Sequence, residues 1–210
     1  MIETAQVAVV GAGPAGLASA LALAALGCEA ALVAPAYDAA RAAQDTRTTA
    51  LLSSSVNLLE NLGVWQLCRA EAAPLSAVRI IDDRGDLLRA PEVLFQAAEL
   101  GLADFGANIA NAALVAALDA VARRAPGLCR VATSGVVRFT PGDSSIRLDL
   151  AEGGSLAAAL VVAADGRGSL ARAGAGISVR TWQYPQAAVA GVVRHGRAHG
   201  NTTTEFHRRT

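Results

Sequence analysis

Short apolar runs and one long alanine- and leucine-rich segment dominate the start of the chain. The runs at residues 6–10 (QVAVV) and 29–33 (EAALV) are short and mainly apolar, which predicts buried strands. Residues 14–26 lie between them and favour a helix, which Gly27 is expected to end. Strand, glycine-rich turn, helix and strand in this order predict a βαβ unit, so the two strands should be parallel.

The remainder of the chain alternates between helical and strand-like segments, separated by turns that contain glycine, proline or aspartate. An Asp- and Gly-rich turn at 82–86 lies between two strand-like runs, which predicts a hairpin. The other predicted elements are a loop at 34–46, helices at 53–62 and 110–124, hairpin strands at 77–81 and 87–89, and strands at 131–140, 145–151 and 156–164. Together with the βαβ unit they predict an α/β fold whose parallel sheet is covered on both faces.

The composition excludes some classes of partner. The chain of 210 residues is 53% hydrophobic, and its 18 basic and 18 acidic residues give a net charge of zero. A nucleic-acid binder would carry a surplus of basic residues, so we expect no nucleic-acid partner. The three cysteines, Cys28, Cys68 and Cys129, lie far apart and match no metal-binding spacing, so we expect reduced thiols and no bound metal.

No charged residue occurs between Thr4 and Cys28, and a hydropathy scan could assign a membrane span to this stretch. Three glycines and Pro14 interrupt it, and its commonest residue is alanine rather than leucine, isoleucine or phenylalanine. A secretory signal would need a basic residue before the apolar stretch, whereas Glu3 is acidic. We therefore expect a cytoplasmic chain without a membrane span.

A glycine motif follows the first predicted strand and leads into the first predicted helix. It consists of Gly11, Gly13 and Gly16, with Pro14 and Ala15 between the last two glycines. The first glycine permits a tight turn, the second lets the backbone approach a pyrophosphate, and the third lets helix and strand pack closely. The helix N-terminus then offers free N–H groups to the phosphates. The alternative is a purely structural turn, but the position between strand and helix favours dinucleotide binding.

The same fingerprint predicts an acidic residue at the end of the second strand, where it binds the ribose hydroxyls. Counting along the motif places this role at Ala34, and the nearest acid, Asp38, lies beyond the strand. We therefore expect an altered adenosine end of the site. The departure also argues against an ordinary NAD-dependent dehydrogenase.

Several further motifs occur in a fixed order along the chain. Besides the glycine turn they are 45–51 (DTRTTAL), 62–65 (LGVW), 164–169 (ADGRGS) with Arg172, Trp182-x-Tyr184-x-Gln186, and Glu205-Phe206. Over nearly the whole chain, this order and spacing resemble the flavoprotein hydroxylases of ubiquinone biosynthesis, which belong to the wider class similar to p-hydroxybenzoate hydroxylase. The resemblance implies a doubly wound, Rossmann-like FAD-binding domain at 1–75 and 101–175, and the beginning of a β-rich substrate domain at 76–100 and 176–210.

The resemblance also implies roles for individual residues. Asp165 and Gly166 would help to bind the FAD pyrophosphate and the nicotinamide cofactor, with Arg172 as a supporting charge. Because the Asp-Gly pair follows an apolar strand, it lies where ligands bind in such sheets, although a simple turn is the alternative. Arg47 would lie near the flavin and the pyrophosphate, the alternative being a solvated surface arginine. Asn111 would face the cofactor from its helix.

The function implied by the resemblance is that of an FAD-dependent monooxygenase. NAD(P)H would reduce FAD, and the reduced flavin would use O₂ to hydroxylate a phenolic, polyprenylated ring. Because the flavin carries the chemistry, no catalytic side chain is assigned. A polyprenylated substrate implies contact with the surface of the inner membrane, and other hydroxylases or further copies of the chain would be partners. The alternatives are a related FAD oxidoreductase with another substrate, such as a soluble phenol hydroxylase or a prenyl reductase, and an inactive FAD-binding fragment.

One family motif has no counterpart in the chain. The family carries a Gly-Asp pair in its second half, which binds the flavin ribityl chain, and residues 181–210 contain no equivalent. We therefore expect the chain to be part of a longer product, with an open sheet edge. His195 and His199 lie in this region, and since no metal pattern joins them we expect them to be structural or exposed.

Overall fold

The computed structural model describes residues 4–86 and 89–208. Within these residues the chain forms twelve strands, six α-helices and two short 3₁₀ turns, at Arg69–Glu71 and Ala97–Leu100. The strands are β1 (Thr4–Val10), β2 (Ala30–Ala34), β3 (Thr48–Leu52), β4 (Ala72–Pro74), β5 (Ala77–Asp82), β6 (Val93–Gln96), β7 (Gly106–Ala110), β8 (Leu128–Ala132), β9 (Val136–Pro141), β10 (Ile146–Leu150), β11 (Ser155–Ala163) and β12 (Thr202–His207). The helices are α1 (Pro14–Ala25), α2 (Ala39–Ala43), α3 (Ser53–Asn61), α4 (Trp65–Cys68), α5 (Asn111–Ala122) and α6 (Leu170–Gly174).

The main sheet has six strands in the order β8-β2-β1-β11-β10-β9. The first four strands are mutually parallel, and β10 and β9 are added to β11 as an antiparallel meander. The parallel part begins at β1 and extends through β2 and β8 on one side, while β11 lies on the other side. The strand order therefore reverses at β1, and in open α/β sheets the carboxyl ends at such a point form a ligand-binding crevice. The predicted α/β class is confirmed.

Alternate side chains of β1 and β2 enter two different cores. On one face, Val7, Val9 and Leu32 pack with the buried sides of α1 and α5. On the other face, Ala8, Val10, Ala31 and Val33 pack with apolar side chains of the antiparallel meander. Because both faces are covered, the runs of β1 and β2 are continuously apolar, as expected for central parallel strands. Their carboxyl ends line the candidate site.

Two smaller sheets flank the main one. The first has the order β3-β7-β4 and is antiparallel, and the second has the order β12-β5-β6, with β12 parallel and β6 antiparallel to β5. The second sheet joins residues 77–96 to residues 202–207, which lie within the two segments predicted for the partial substrate domain, 76–100 and 176–210. The division into two domains itself stays a prediction.

Three of the predicted elements differ from the structure. The predicted loop at 34–46 contains α2, which Asp38 caps by accepting a hydrogen bond from the N–H of Arg41 (3.1 Å). The single strand predicted at 131–140 is two strands, since β8 joins β2 and β9 joins β10. Gly135 lies in the turn between these strands.

The predicted tight hairpin paired β5 with residues 87–89. In the structure β5 pairs instead with β6, which lies further along the chain. Of the predicted partner at 87–89, residues 87 and 88 lie outside the described ranges, and Arg89 is in neither a helix nor a strand. The strands β3, β4 and β7 were not predicted. Each has only three to five residues, which is too short for a clear alternating pattern. In the part of the chain that the structure describes, no helix has the length and apolar character needed to cross a bilayer.

Candidate dinucleotide site

The glycine turn lies at the carboxyl end of β1, pressed against the end of β11. Gly11 has a φ of +107°, a backbone conformation that side-chain-bearing residues rarely adopt. A Cβ on this residue would lie 2.3 Å from the carbonyl oxygen of Ala164. The N–H of Gly11 donates to the carbonyl of Val33 (2.9 Å), and the N–H of Ala164 donates to that of Val10 (2.9 Å). Strands β2, β1 and β11 are therefore fixed to one another at this turn.

The two other glycines of the motif have different surroundings. A Cβ on Gly16 would lie 1.9 Å from the carbonyl oxygen of Gly11, so the absence of a side chain lets α1 pack directly on the turn. Gly13 precedes α1, and a Cβ there would meet no atom within 4 Å. Pro14 and Ala15 follow as the first helical residues, and both are exposed. The glycine tasks predicted from the sequence therefore fit the local geometry: close packing at Gly16 and an open backbone at Gly13.

Asp165 lies directly beside this turn. Its Cα would be 3.2 Å from a Cβ on Gly11, so the structure brings the Asp-Gly motif and the glycine motif together. One carboxylate oxygen of Asp165, Oδ2, accepts a hydrogen bond from the N–H of Ala171 (3.1 Å). The other, Oδ1, is buried without a partner among the described residues. Burial works to raise the pKa of Asp165, but hydrogen bonds from the Ser169 side chain and the following backbone outweigh it and leave the pKa below its usual value.

The loop after Asp165 is held by its own side chains. Gly166 has a φ of +86°, which explains a glycine at this turn. Ser169 caps α6 by accepting a hydrogen bond from the N–H of Arg172 (3.0 Å). The guanidinium Nη2 of Arg172 donates to the carbonyl of Arg167 (2.9 Å). Arg172 thus supports the shape of the Asp165 loop.

Arg47 is held in a network that connects three elements. Its Nε and Nη2 each donate to one carboxylate oxygen of Asp45, both at 2.7 Å, in a bidentate ion pair. Asn111, the first residue of α5, donates through Nδ2 to Asp45 (3.3 Å) and accepts a hydrogen bond from the hydroxyl of Thr49. Side-chain hydrogen bonds from Arg47 hold the pKa of Asp45 well below its usual range, and the pair raises the pKa of Arg47.

Sequence reasoning found Arg47 and Asn111 but assigned no role to Asp45 or Thr49. The spacing could have indicated Asp45, which lies two residues before Arg47. In an extended segment, side chains two residues apart share one face. For Thr49, no sequence signal indicated a contact with a residue 62 positions away.

A cavity of about 870 Å³ extends along the amino end of α1 and α5. It joins four of the predicted site residues, which are Gly13, Pro14, Arg47 and Asn111. Its wall also includes Tyr37, Asp38 and Arg41, which follow β2. Gly11 and Asp165 line a second cavity of about 290 Å³ across the strand ends, together with Ala34. The site therefore runs along the carboxyl edge of the sheet, at the point where the strand order reverses.

Ala34 ends β2 and is buried, with 7% of its surface exposed. Its methyl group offers no hydrogen-bond acceptor to a ribose. Asp38 lies on the cavity wall, but one of its carboxylate oxygens accepts the N–H at the start of α2. The acid that the fingerprint predicts at the strand end is therefore replaced by an apolar side chain.

The two histidines lie away from this site. Their rings are 5.2 Å apart in an edge-to-face arrangement, and both are exposed in residues 177–199, which form neither helix nor strand. Among the residues of the described ranges, no three His, Cys, Asp or Glu side chains come together as a metal site would require.

Comparisons with known proteins place the chain in a family. The family model for an FAD binding domain matches residues 4–199. Ubiquinone hydroxylase UbiL of Rhodospirillum rubrum is 29% identical over 164 residues, which cover 78% of this chain and 37% of that protein. The 3-demethoxyubiquinol 3-hydroxylase of Escherichia coli is 32% identical over 185 residues, which cover 86% of this chain and 46% of that protein. The chain thus spans less than half the length of these relatives.

Solved structures show the same fold. The p-nitrophenol 4-monooxygenase PnpA of Pseudomonas putida superimposes with a TM-score of 0.66 at 22% identity, over 83% of this chain and 44% of that one. A variant of PqsL from Pseudomonas aeruginosa gives a TM-score of 0.67 at 21% identity, over 87% of this chain and 48% of that one. The chain therefore belongs to the FAD binding domain family, and the predicted resemblance to the flavoprotein hydroxylases of ubiquinone biosynthesis is confirmed.

Proposed function

We propose that the chain binds FAD along the carboxyl edge of β1 and β11, as part of a monooxygenase that hydroxylates a phenolic ring. The observation that carries this proposal is the meeting of Gly11 and Asp165 at one strand edge, with Oδ1 of Asp165 buried and unpartnered among the described residues. An ionised carboxylate oxygen only accepts hydrogen bonds, so its partner must donate from a hydroxyl or an N–H. A ribityl chain carries hydroxyls, and FAD therefore fits this position.

Each end of the site has groups suited to one part of FAD. The open backbone at Gly13 and the free N–H groups of α1 suit the pyrophosphate. Arg47 adds a positive charge, and its orientation is fixed by Asp45. When bound, FAD would supply the redox chemistry, with NAD(P)H as reductant and O₂ as oxidant. The protein's own residues bind and orient the cofactor and exclude water from it.

The substrate class rests on the relatives and on the second small sheet. The relatives are named as hydroxylases of ubiquinone and of 3-demethoxyubiquinol, so we propose a polyprenylated phenol. On one face of this sheet, Val78 pairs with Phe95 and Ile80 pairs with Val93. Phe95 is 49% exposed and Val93 is 43% exposed. The part of this face on β5 and β6 is apolar and would suit a ring with a prenyl tail, and such a substrate implies contact with a membrane surface.

The proposal separates into two tests. In the first, the purified chain is titrated with FAD, desalted and examined by visible absorption. Flavin that stays with the protein supports the cofactor assignment, and a colourless protein with no change in flavin fluorescence contradicts it. In the second, NAD(P)H oxidation is followed with prenylated and short phenols. Flavin retention without turnover would favour a binding module, and preference for short phenols would favour a related oxidoreductase.

A further inference from the structure

The end of β2 differs from an ordinary dinucleotide site in what surrounds Ala34. In the parallel pairing of β2 with β8, Leu32 lies opposite Arg130 and Ala34 lies opposite Ala132. Since side chains two residues apart on a strand share a face, Arg130 and Ala34 lie on the same side of the sheet. This is the side that α5 covers, where a βαβ site would hold the ribose.

A small cavity connects these residues. It has a volume of about 200 Å³, and its wall includes Ala34, Tyr37, Arg123 and Arg130. Pro35, Ala36 and Tyr37 line both this cavity and the larger one that holds Gly13 and Arg47. The small cavity therefore continues the site from its phosphate end past the end of β2, in the direction expected for an adenosine.

The charged groups at this cavity form a cluster of three. The Asp119 side chain is only 4% exposed, and its two oxygens face different arginines. Nε of Arg123 lies 2.6 Å from Oδ2, and Nη1 of Arg130 lies 2.7 Å from Oδ1. Although Nη1 of Arg130 and Oδ1 of Asp119 are close, neither atom makes a well-aligned hydrogen bond among the described residues. One carboxylate thus faces two guanidinium groups, and the cluster carries a surplus positive charge.

Of this cluster, the two arginines line the small cavity, whereas Asp119 lines the larger one. The side chain of Arg130 is 27% exposed and that of Arg123 is 56% exposed, whereas Asp119 is buried beneath them. A guanidinium donates hydrogen bonds and accepts none. The adenosine end therefore presents donors and positive charge, where the family fingerprint presents an acceptor and negative charge.

We propose that Arg130, positioned by Asp119 and assisted by Arg123, binds the ribose of the adenosine half in place of the missing acid at position 34. The ribose oxygens of FAD accept hydrogen bonds from Arg130 instead of donating to a carboxylate. A subsite of this kind also binds adenosine diphosphates whose ribose carries an additional phosphate, which an acid at the strand end would repel. The inference rests on the proposed function, because it assumes that the dinucleotide lies along this edge.

The test compares two probes that differ by one phosphate, ADP-ribose and 2′-phospho-ADP-ribose. Each is titrated into the purified chain by calorimetry, and FAD is titrated separately. We expect the phosphorylated probe to bind about tenfold more tightly, because it gains charge-assisted hydrogen bonds to guanidinium. Raising the salt concentration should reduce this ratio, since the interaction is between charges near the surface.

Two matched variants of Ala34 keep the cluster intact, and only one of them adds a negative charge to the subsite. Ala34→Glu restores the acid and should reverse the preference in favour of ADP-ribose. Ala34→Gln has nearly the same size without the charge, and it should leave the phosphorylated probe preferred. In a third protein, Arg130→Gln is combined with Asp119→Asn, so that no buried charge is left unpaired, and the preference should be lost at an unchanged melting temperature.

The outcomes separate this inference from the FAD assignment. If FAD binds but the wild-type chain binds both probes equally, or prefers ADP-ribose, the cationic subsite is wrong and the FAD site stands. If the phosphorylated probe is preferred while FAD does not bind, the FAD assignment is wrong and the subsite stands. Failure of FAD and of both probes to bind overturns both proposals.

Discussion

The contact between α1 and the glycine turn gives the sharpest test of the site geometry. In Gly16→Ala the new methyl group would lie 1.9 Å from the carbonyl oxygen of Gly11 and 2.9 Å from its carbonyl carbon. Real Cβ atoms essentially never approach another heavy atom within 3.0 Å, and both of these atoms are backbone. No rotation of a side chain can relieve the contact, so α1 must move away from β1 by about 1 Å or more.

The size of the effect follows from what this movement disturbs. The side of α1 that faces the sheet carries Leu17, Ala20 and Leu21, all buried at 3% exposure or less. Forcing an extra methyl group into a packed interior costs about 1–3 kcal/mol. Because backbone lies on both sides of the contact, we expect about 3 kcal/mol. For a chain of this length that corresponds to a fall of about 6–12 °C in the melting temperature.

Gly13→Ala is the matched control, since the same change three residues earlier meets no atom within 4 Å. Thermal unfolding of both variants without ligand, followed by circular dichroism, should show a lower melting temperature for Gly16→Ala alone. Titration with FAD should then show that Gly13→Ala weakens binding by about tenfold or more, because its methyl group occupies space that the pyrophosphate needs. A wild-type melting temperature for Gly16→Ala would refute the close packing, and wild-type FAD affinity for Gly13→Ala would refute the position of the pyrophosphate.

Four other expectations concern individual side chains. Arg47→Ala should weaken FAD binding by about tenfold in fluorescence titration, with Arg47→Lys intermediate because lysine lacks the planar fork; unchanged affinity would contradict its role. Side-chain hydrogen bonds from Arg47 are the largest cause of the lowered pKa of Asp45, so ionised Asp45 stabilises the fold fully above its unfolded pKa of 3.8. This stabilisation is lost as the pH falls through the folded pKa. In acid unfolding, the stability of Asp45→Asn should therefore depend less on pH in this range than that of the wild type. Hydrogen bonds, of which that from the Thr133 hydroxyl has the largest effect, lower the pKa of Glu152 to about 2. Glu152→Gln should therefore make the free energy of unfolding depend less on pH between pH 4.5 and about 2, and leave its slope above that range unchanged. Burial raises the pKa of the Cys68 thiol. In the native chain, mass spectrometry should therefore find Cys68 alkylated more slowly than the half-buried Cys28 and Cys129, and in denaturant all three should react equally fast.

The geometry of the glycine turn could be predicted from the sequence because it depends on the backbone. The turn needs a positive φ at Gly11 and no side chain at Gly16, and only glycine meets both requirements at low cost. Such requirements leave a fixed spacing in the sequence. The helix and the second strand next to the turn were also predicted to within a residue of their observed bounds, since their apolar runs are uninterrupted.

Several of the mispredicted strands pair with partners that lie far away in the chain. Residues 131–140 were predicted as one strand, and the sequence does not indicate that their first part joins β2 while their last part joins β10. The same holds for the strands of the small sheets. Their positions are fixed by pairing across tens of residues, so local propensity decides little.

The adenosine end could not be predicted from the sequence for a related reason. Its groups come from α5 and β8, and sequence reasoning assigned no role to Asp119, Arg123 or Arg130, which meet only in the folded chain. Side chains of this kind can be exchanged if the new groups still complement the ligand, whereas the glycines cannot. The loss of the acid at Ala34 is therefore compatible with a working dinucleotide site, provided that another element supplies the polar contacts. Under our proposal the neighbouring strand does so with the opposite charge, and for that reason the two ends of the site give such different signals in the sequence.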